Sequence, residues 1–390
     1  MLKQIPISEL KAGMYVHAIA RQNTDNHDAI RKAGLVPSDD LVRLLRARGV
    51  IEVIIDTDKG KSSDYQPPEA SVAVKPSAAK VPLVEEMARA QALYSEARGL
   101  QQKALHDLVT GKPIEMKDFE KVTGSFIDSV FRNQDALACL TRIREKDAYL
   151  LEHSINVSIL MAIFAKHLGI ERKVMEEICL GALMHDLGKI RIPEEVLHKP
   201  GKLTDDEFEL MKKHVTFSHD ILLESAPTIP RRTVEVVIQH HEKLNGAGYP
   251  HGLSSDKIST FGRMISIVDI YDALTADRCY KRGMVPNAAL GILQGLTPNQ
   301  LDADLVLEFI RCMSIYPVGT LVRLESGKLG IVIETNEKEL TKPKVKVFYH
   351  TKYKRHIDIE FLDLAHPKCG DKIATCEKPS THNIDIAKYF

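Results

Sequence analysis

The chain has 390 residues, of which 44% are hydrophobic and 27% charged, enough for two or three domains with cores of their own. Lys plus Arg and Asp plus Glu both number 53, so no overall charge draws the protein to nucleic acid or to an acidic membrane. The six cysteines form no CxxC pair, which favours free thiols in a reducing compartment over a disulfide framework or a thiolate zinc site.

The first residues and the apolar runs bear on where the protein works. Lys3, Glu9 and Lys11 interrupt the N-terminal stretch, which argues against a secretory signal peptide. The longest largely apolar run, Ile155 to Ala165, is far shorter than the roughly 20 residues that cross a bilayer. We therefore expect a cytoplasmic protein with no membrane span and no nucleic-acid partner.

Residues 1–57 predict a small α+β module. Two β-rich runs, MYVHAIA and VIEVIID, lie on either side of a predicted helix that Ser38 would cap and Gly49 would end. Residues 58–82 are rich in Pro, Ser, Ala and Lys and have no sustained period, so they predict a flexible linker.

From Leu83 to about Cys279 apolar residues recur at spacings of three and four, which is typical of helices. We assign residues 83–130 to connecting helices and residues 131–312 to an all-helical domain. The fold class predicted for the chain is therefore mainly α.

After about Met313 the apolar period changes to two, with a hairpin-like turn at Ser326-Gly327. This pattern predicts a small C-terminal β appendage over residues 313–375. Residues 376–390 show no sustained pattern, and we expect them to form a loose tail.

Within the helical domain, the segment LMHDLGK places His185 and Asp186 side by side at the end of an apolar helix, which Gly188 is expected to end. The imidazole can bind one ion, while the two carboxylate oxygens can bridge two ions about 3.5–4 Å apart. On its own, a buried histidine with an aspartate partner is the commoner explanation of such a pair.

Four other stretches of predicted helix supply the same ligand types, and together they make coincidence a poor explanation. Asp269 shares a helix face with Asp272 at i, i+3 spacing, where a buried carboxylate needs a compensating charge. Plain alternatives exist: His214 could be solvated, Asp272 could form a cap or salt bridge, and His153 could be a hydrogen-bonded core residue. The candidate ligands in these stretches are His153, His214, the adjacent His240 and His241, and Asp269.

All of these ligands are nitrogen and oxygen donors without sulfur, a set that suits iron or manganese better than a structural zinc. We expect a centre of two divalent ions. Such a centre lowers the pKa of a bridging water, so that hydroxide exists near neutral pH, and it binds the oxygens of a phosphoryl group. The sequence therefore predicts phosphoester hydrolysis.

The motif HDxGK at 185–189, together with HHEKLNGAGYP at 240–250, resembles the HD-GYP family of cyclic di-GMP phosphodiesterases. The likeness covers about Phe131 to Cys312 and includes HSINV, which begins at His153, and the segment DIYDALTADRCYK. It implies a metal-dependent phosphodiesterase that hydrolyses cyclic di-GMP by attack of a metal-bridging hydroxide, with either pGpG or GMP as the final product.

The resemblance also implies roles for single residues. Asp186 would bridge the two metals, and Lys189, one turn after His185, would hold a phosphate or stabilise the developing charge. The implied metal ligands are His153, His185, Asp186, His214, His240, His241 and Asp269.

In the glycine-rich loop that ends in Gly248-Tyr249-Pro250, which we term the GYP loop, Gly246 and Gly248 would permit backbone angles that a side chain forbids, so that the loop presents Tyr249 to the ligand. Arg278 and Lys281 match family positions that hold the phosphates of the cyclic dinucleotide. Cations at helix ends are otherwise usually just solvated.

The chain departs from the family pattern at two positions. Asn245 stands where the family usually has an aspartate, although Asn-Gly forms a turn as well as Asp-Gly does. Tyr149 stands where some members have an acidic ligand for a third metal, so we expect two metals. Asp147 could instead accept hydrogen bonds from the N1 and N2 groups of a guanine.

Other functions remain open at this point. With Asn245 as its only support, the protein could be a cyclic-dinucleotide receptor or interaction protein without turnover. It could also be an HD-type hydrolase for another cyclic dinucleotide. The long helices before His153 are compatible with a homodimer, and the GYP loop and the N-terminal module with protein partners.

Overall fold

A computed structural model describes residues 2–22, 34–36, 42, 45–46, 50–60, 81–142, 149–226, 228–276, 283–336, 338–382, 384 and 389. The chain divides into two compact units, Met1–Ala78 and Ala79–Phe390. The second unit contains every residue that the sequence predicts as a metal ligand.

The first unit contains a four-stranded antiparallel sheet in the order β1-β4-β2-β3. Val53 and Ile55, two residues apart on β4, are fully buried, as expected for the inner face of a strand. The helix predicted from Ser38 to Gly49 and residues 61–80 of the predicted linker lie mostly or wholly outside the described residues. The strands are β1 (Leu2–Pro6), β2 (Tyr15–Gln22), β3 (Gly34–Leu35) and β4 (Val50–Asp56).

The second unit begins with a helical body built around one helix, α3. Its residues Ile155 to Ala165 are buried on every side, so the longest apolar run of the sequence is the central helix of the domain. Across the described residues, no helix has the length and apolar character that a membrane crossing requires. The helices are α1 (Leu83–Val109), α2 (Met116–Leu140), α3 (Tyr149–His167), α4 (Arg172–Met184), α5 (Glu194–Leu197), α6 (Asp205–Lys212), α7 (His214–Ser225), α8 (Arg231–Gln239), α9 (Thr260–Thr275), α10 (Pro286–Gly295) and α11 (Ala303–Met313).

Polar contacts join α1 to α2 and to the end of α4, after which the candidate ligands His185 and Asp186 follow. The buried Glu86 carboxylate accepts two hydrogen bonds of 2.8 Å from the Arg132 guanidinium of α2. Further along α1, Gln101 Nε2 donates to the carbonyl of Leu183 at 2.7 Å. Because Leu183 lies in the last turn of α4, this bond satisfies a carbonyl that the helix end leaves free.

The C-terminal region is a five-stranded antiparallel sheet in the order β8-β7-β6-β5-β9. Its first hairpin turns at Ser326-Gly327, with Gly327 at a φ of +83°, as the sequence predicts. Together with the helical body, this sheet confirms the predicted fold class. The elements are β5 (Leu321–Leu324), β6 (Lys328–Glu334), β7 (Lys344–His350), β8 (Arg355–Asp363), β9 (Ile373–Cys376) and α12 (Pro379–His382).

The predicted loose tail differs from what the structure shows for its described residues. The Tyr389 ring stacks on Phe348 of β7, with ring centroids 3.7 Å apart. Lys346 Nζ donates to the carbonyl of Tyr389 at 2.9 Å, and Ile384 is buried. Isolated apolar residues such as these have no periodicity to reveal them, so the sequence pattern did not predict their packing.

Candidate metal centre

The seven predicted metal ligands come together around the carboxylate of Asp186. Five separate segments of the helical body contribute them. All seven are buried except His241, whose side chain is 27% exposed. They are His153 in α3, His185 and Asp186 directly after α4, His214 at the start of α7, His240 and His241 directly after α8, and Asp269 in α9.

The two oxygens of Asp186 face different histidines. Oδ2 lies 3.6 Å from His153 Nε2 and 3.4 Å from His185 Nε2. Oδ1 lies 3.4 Å from His214 Nε2 and 4.0 Å from His240 Nε2. A carboxylate with this geometry can share its oxygens between two ions.

A second carboxylate, Asp269, also contacts both groups of histidines. Its Oδ1 lies 3.0 Å from His153 Nε2 and its Oδ2 lies 3.7 Å from His241 Nδ1. Bridging was expected of Asp186 alone, so this position of Asp269 between the two groups of histidines is a finding of the structure. Two trios have ligand atoms within 4.8 Å of one another: His153, His185 and Asp186 in one, and His214, His240 and His241 in the other.

Three of the histidines are oriented by the helix that precedes them. In each, ring Nδ1 lies 2.6 or 2.7 Å from the carbonyl oxygen three residues earlier. A carbonyl can only accept, so Nδ1 carries the proton and the Nε2 lone pair points into the centre. The pairs are His185 with Ala182, His214 with Met211, and His240 with Val237.

His153 is oriented differently, by a carboxylate. Its Nδ1 lies 2.7 Å from Oδ2 of the buried Asp272. Burial disfavours the charged imidazole, but hydrogen bonds to Asp269 and Asp272 outweigh it and raise the pKa of His153 to about 9. The i, i+3 spacing of the two aspartates was the sequence signal for Asp272, yet its contact with His153 was not predicted.

The remaining imidazoles are neutral. Burial lowers the pKa of His185 and His240, and it brings the pKa of His214 to about 4 and that of His241 to about 3. Neutral imidazole is the form that binds metals.

Two buried atoms in this centre, His185 Nε2 and Asp186 Oδ1, have no hydrogen bond within the described part of the chain. Buried polar atoms normally have a partner, and a divalent ion would supply one here. The residues therefore fit a metal centre.

The turn after α4 brings Lys189 to Asp186. Burial alone would raise the pKa of Asp186, but the Lys189 ammonium, which contacts Asp186 Oδ2, holds it well below its usual range. A Cβ on Gly188 would lie 2.1 Å from the carbonyl oxygen of His214, so only glycine allows this turn to pack on α7. The expectation that Gly188 ends the helix was wrong, because α4 already ends at Met184. Gly188 is required for close packing instead.

The glycine-rich loop lies beside the centre, with the Tyr249 ring 4.7 Å from that of His241. Gly246 has a φ of +74°, which agrees with the prediction. Gly248 is required for another reason, because a Cβ there would lie 2.4 Å from the amide nitrogen of Lys243. The loop backbone thus passes too close to itself for any side chain at this position.

Sequence reasoning missed the residue that closes this loop. The buried carboxylate of Glu242 accepts backbone N–H groups from His251 at 2.8 Å and Leu253 at 2.9 Å. Its signal was its place directly after the histidine pair. Asn245 Oδ1 accepts the N–H of Ala247 at 3.1 Å, a turn bond that an aspartate would also make.

The predicted substrate contacts have different outcomes. Tyr249 lies beside the centre, as described. Asp147, Arg278 and Lys281 lie outside the described residues, and their roles stay predictions.

Comparisons with known proteins identify the family. A model of the HD domain family matches residues 137–305, and a domain of unknown function, DUF3391, matches residues 2–119. The chain is 35% identical over 392 residues to a cyclic di-GMP phosphodiesterase of Pseudomonas aeruginosa, which covers 98% of this chain and 94% of that protein.

Two further relatives share a shorter stretch. The cyclic di-GMP phosphodiesterase response regulator RpfG of Xanthomonas campestris pv. campestris is 34% identical over 181 residues, covering 46% of this chain and 48% of that one. The 3′3′-cGAMP-specific phosphodiesterase 3 of Vibrio cholerae is 31% identical over 172 residues, covering 44% and 37%. Because the Pseudomonas relative matches almost end to end, the chain belongs to the HD-GYP family of cyclic di-GMP phosphodiesterases.

Proposed function

We propose that this protein hydrolyses cyclic di-GMP to pGpG or GMP at a centre of two divalent ions. The observation that supports this most is the Asp186 carboxylate, whose oxygens face two separate groups of histidines. The family to which the chain belongs acts on the same substrate. The proposed ligands are His153, His185, Asp186, His214, His240, His241 and Asp269.

The proposed ions are iron or manganese, since the donors are imidazole nitrogens and carboxylate oxygens without sulfur. Bound ions would act as Lewis acids on the phosphate and would acidify a water molecule between them. Asp186 and Asp269, which contact both groups of histidines, would hold the two sides at a fixed separation.

Lys189 would act on the charge of the phosphate. Its ammonium contacts the Asp186 carboxylate and its side chain is 21% exposed, so the group can reach a phosphate oxygen held at the centre. A fixed cation at this point stabilises charge that develops as the ester bond breaks. Tyr249 would contact the ligand beside His241, and Arg278, Lys281 and Asp147 are proposed as its further contacts.

We propose a cytoplasmic location, a homodimer through the long helices before His153, and protein partners at the GYP loop or the N-terminal unit. We also propose domain boundaries at 131–312 for the helical domain and at 313–375 for the β appendage.

A second candidate substrate is 3′3′-cGAMP, since a relative named for that activity is 31% identical over 172 residues. The receptor without turnover has less support. Its one argument was Asn245, whose side chain makes the turn hydrogen bond that an aspartate would make.

A product assay tests these proposals. Protein purified without oxygen is loaded in parallel with Fe(II) or Mn(II), its metal content is measured, and it is incubated separately with cyclic di-GMP and 3′3′-cGAMP. We expect pGpG or GMP from cyclic di-GMP, with a smaller kcat/KM for 3′3′-cGAMP. Intact cyclic di-GMP with both ions bound would overturn the proposed activity, and faster cleavage of 3′3′-cGAMP would reassign the substrate.

A further inference from the structure

A second aromatic ring, Phe208, lies beyond Tyr249 as seen from the candidate metal centre. The two ring centroids are 6.3 Å apart and the rings are nearly perpendicular, at 84°. Tyr249 in turn lies 4.7 Å from His241. Tyr249 therefore neighbours both His241 of the candidate centre and the exposed Phe208.

Phe208 is exposed where a phenylalanine would ordinarily be covered. Its side chain is 47% exposed, and α6, which carries it, has no fully buried residue. Single exposed apolar residues are common and need no explanation of their own. Its position beside the GYP loop, together with a neighbouring cation, distinguishes this one.

That cation is Lys212, one helical turn after Phe208 on the same face of α6. Lys212 Nζ lies 5.4 Å from the centroid of Phe208 and 5.9 Å from that of Tyr249, within cation–π range of both rings. An ion pair of 2.5 Å with the exposed Glu209 keeps the ammonium near the surface.

The start of α6 is fixed independently of any ligand. Thr204 and Glu207 form a capping box, with the Glu207 carboxylate 2.7 Å from the Thr204 amide nitrogen. Lys199 adds an ion pair of 2.6 Å to the same carboxylate. Phe208 follows directly, so its backbone is held in place before a ligand arrives, which lowers the entropy lost on binding.

We propose that Phe208 and Lys212 form a subsite that receives one guanine base of the cyclic dinucleotide whose phosphate lies at the metal centre. The proposal rests on the proposed function. A flat aromatic ring that faces solvent can stack with a base, and a base lies next to its phosphate in any nucleotide. Lys212 can donate to O6 and N7 of guanine, whereas adenine presents a donor in place of O6. The subsite therefore binds any purine and favours guanine.

The chain offers a matched control for Phe208. Phe131 in α2 is 52% exposed and has Lys166 Nζ 5.5 Å from its ring centroid, yet it belongs to a different helix and to no part of the proposed centre. Phe131→Ala removes the same exposed ring beside a lysine. It measures the general cost of such a change.

The first experiment compares metal-loaded wild type, Phe208→Ala, Phe208→Tyr and Phe131→Ala. We expect Phe208→Ala to raise KM for cyclic di-GMP about tenfold and to change kcat far less. Phe208→Tyr should stay close to the wild type, and Phe131→Ala should show no rise in KM. Inorganic phosphate, which has no base and no aromatic ring, should inhibit the wild type and Phe208→Ala with nearly equal inhibition constants. An equal loss of affinity for phosphate and for cyclic di-GMP, or no rise in KM for cyclic di-GMP, would overturn the subsite.

The second experiment tests the preference for guanine. Lys212→Met keeps the length of the side chain and removes its charge, so we expect a smaller ratio of affinities between cyclic di-GMP and cyclic di-AMP, measured by calorimetry. An unchanged ratio would remove Lys212 from the proposal. If the wild type binds cyclic di-GMP without turnover, the proposed function fails, and the affinities of the Phe208 variants still decide the subsite.

Discussion

The two sides of the Asp186 carboxylate differ in the charge that surrounds them. On the first, which we term the carboxylate side and define by His153 and His185, Asp269 and Asp272 lie within 3.0 Å of the two ring nitrogens of His153. On the second, which we term the imidazole side, Asp269 Oδ2 lies 3.7 Å from His241 Nδ1. The imidazole side consists of His214, His240 and His241.

The difference bears on how firmly each side would hold an ion. Asp272 makes His153 a more basic ligand, and Asp269 adds negative charge beside it. The imidazole side has neutral rings, whose orientation depends in two cases on backbone carbonyls. We therefore expect the carboxylate side to bind its ion tightly and the imidazole side to exchange its ion more readily.

The largest effect is expected where the two sides meet. Asp186→Ala removes an oxygen ligand from both sides at once, so both ions should be lost from the purified protein. Activity on cyclic di-GMP should fall by more than about a hundredfold, since even the loss of a residue that only orients a ligand costs up to that much. Mass spectrometry of the metal content and a product assay check both outcomes. Retention of either ion with measurable turnover would show that Asp186 is not shared.

A smaller effect is expected when charge is removed without removing a ligand. Lys189→Ala leaves every imidazole and carboxylate of both sides in place, so the two ions should remain. The rate should fall about 100- to 1,000-fold in kcat, as for other groups that stabilise charge in the transition state. Loss of metal in this variant would show that Lys189 holds the centre together through Asp186, and that its role in the reaction had been misassigned.

A change to one side alone would test the comparison directly. In Asp272→Asn the hydrogen bond to His153 can persist while its charge is lost, so the carboxylate side should bind its ion about tenfold more weakly. Titration of the apoprotein with Mn(II) against a competing chelator should resolve a tight and a weak class in the wild type. In the variant, the Mn(II) affinities of the two classes of site should lie closer together.

His241→Ala provides the matched control for that titration, since it removes a ligand from the imidazole side. It should weaken the class that was already weak and leave the tight class in place. If Asp272→Asn weakened the weak class instead, the assignment of tight binding to the carboxylate side would be wrong.

The same comparison explains how much of the centre could be predicted from the sequence. His185 and His240 follow directly on apolar helices, and their Nδ1 contacts run to carbonyls only three residues earlier. Such local contacts follow from the position of a histidine at a helix end, so the sequence motif is enough to predict them. The ligand types could therefore be predicted from the motifs, and the helical fold from the periodicity of the apolar residues.

Contacts across the fold could not be predicted in this way. His153 and Asp272 are 119 residues apart, and only the packing of α3 against α9 brings them to 2.7 Å. Gly188 is likewise required by the approach of a separate helix, at the carbonyl of His214. Spacing along the chain contains no information about such distances. The contact of the Asp272 carboxylate with His153 could therefore be found only from the three-dimensional structure.

The smallest effect is expected at the position where the chain departs from its family. Asn245→Asp restores the usual residue in the GYP loop, four residues after His241 of the imidazole side, and it replaces no ligand of either side. The Asn245 oxygen accepts a backbone N–H from Ala247, and an aspartate oxygen accepts the same bond. We therefore expect metal content and kcat/KM for cyclic di-GMP to stay within about twofold of the wild type, as for most surface substitutions.

The control for this variant is Asn245→Ala, which cannot accept that hydrogen bond and should lower the activity more than the aspartate does. Both are measured in the same product assay with bound metal verified. If kcat/KM rose tenfold or more in Asn245→Asp, the loop of the wild type would lack a charge that the reaction needs. That result would support a receptor with little turnover. An unchanged rate would mean that the turn bond, and not the charge, is what this position supplies to the loop that holds Tyr249 beside the imidazole side.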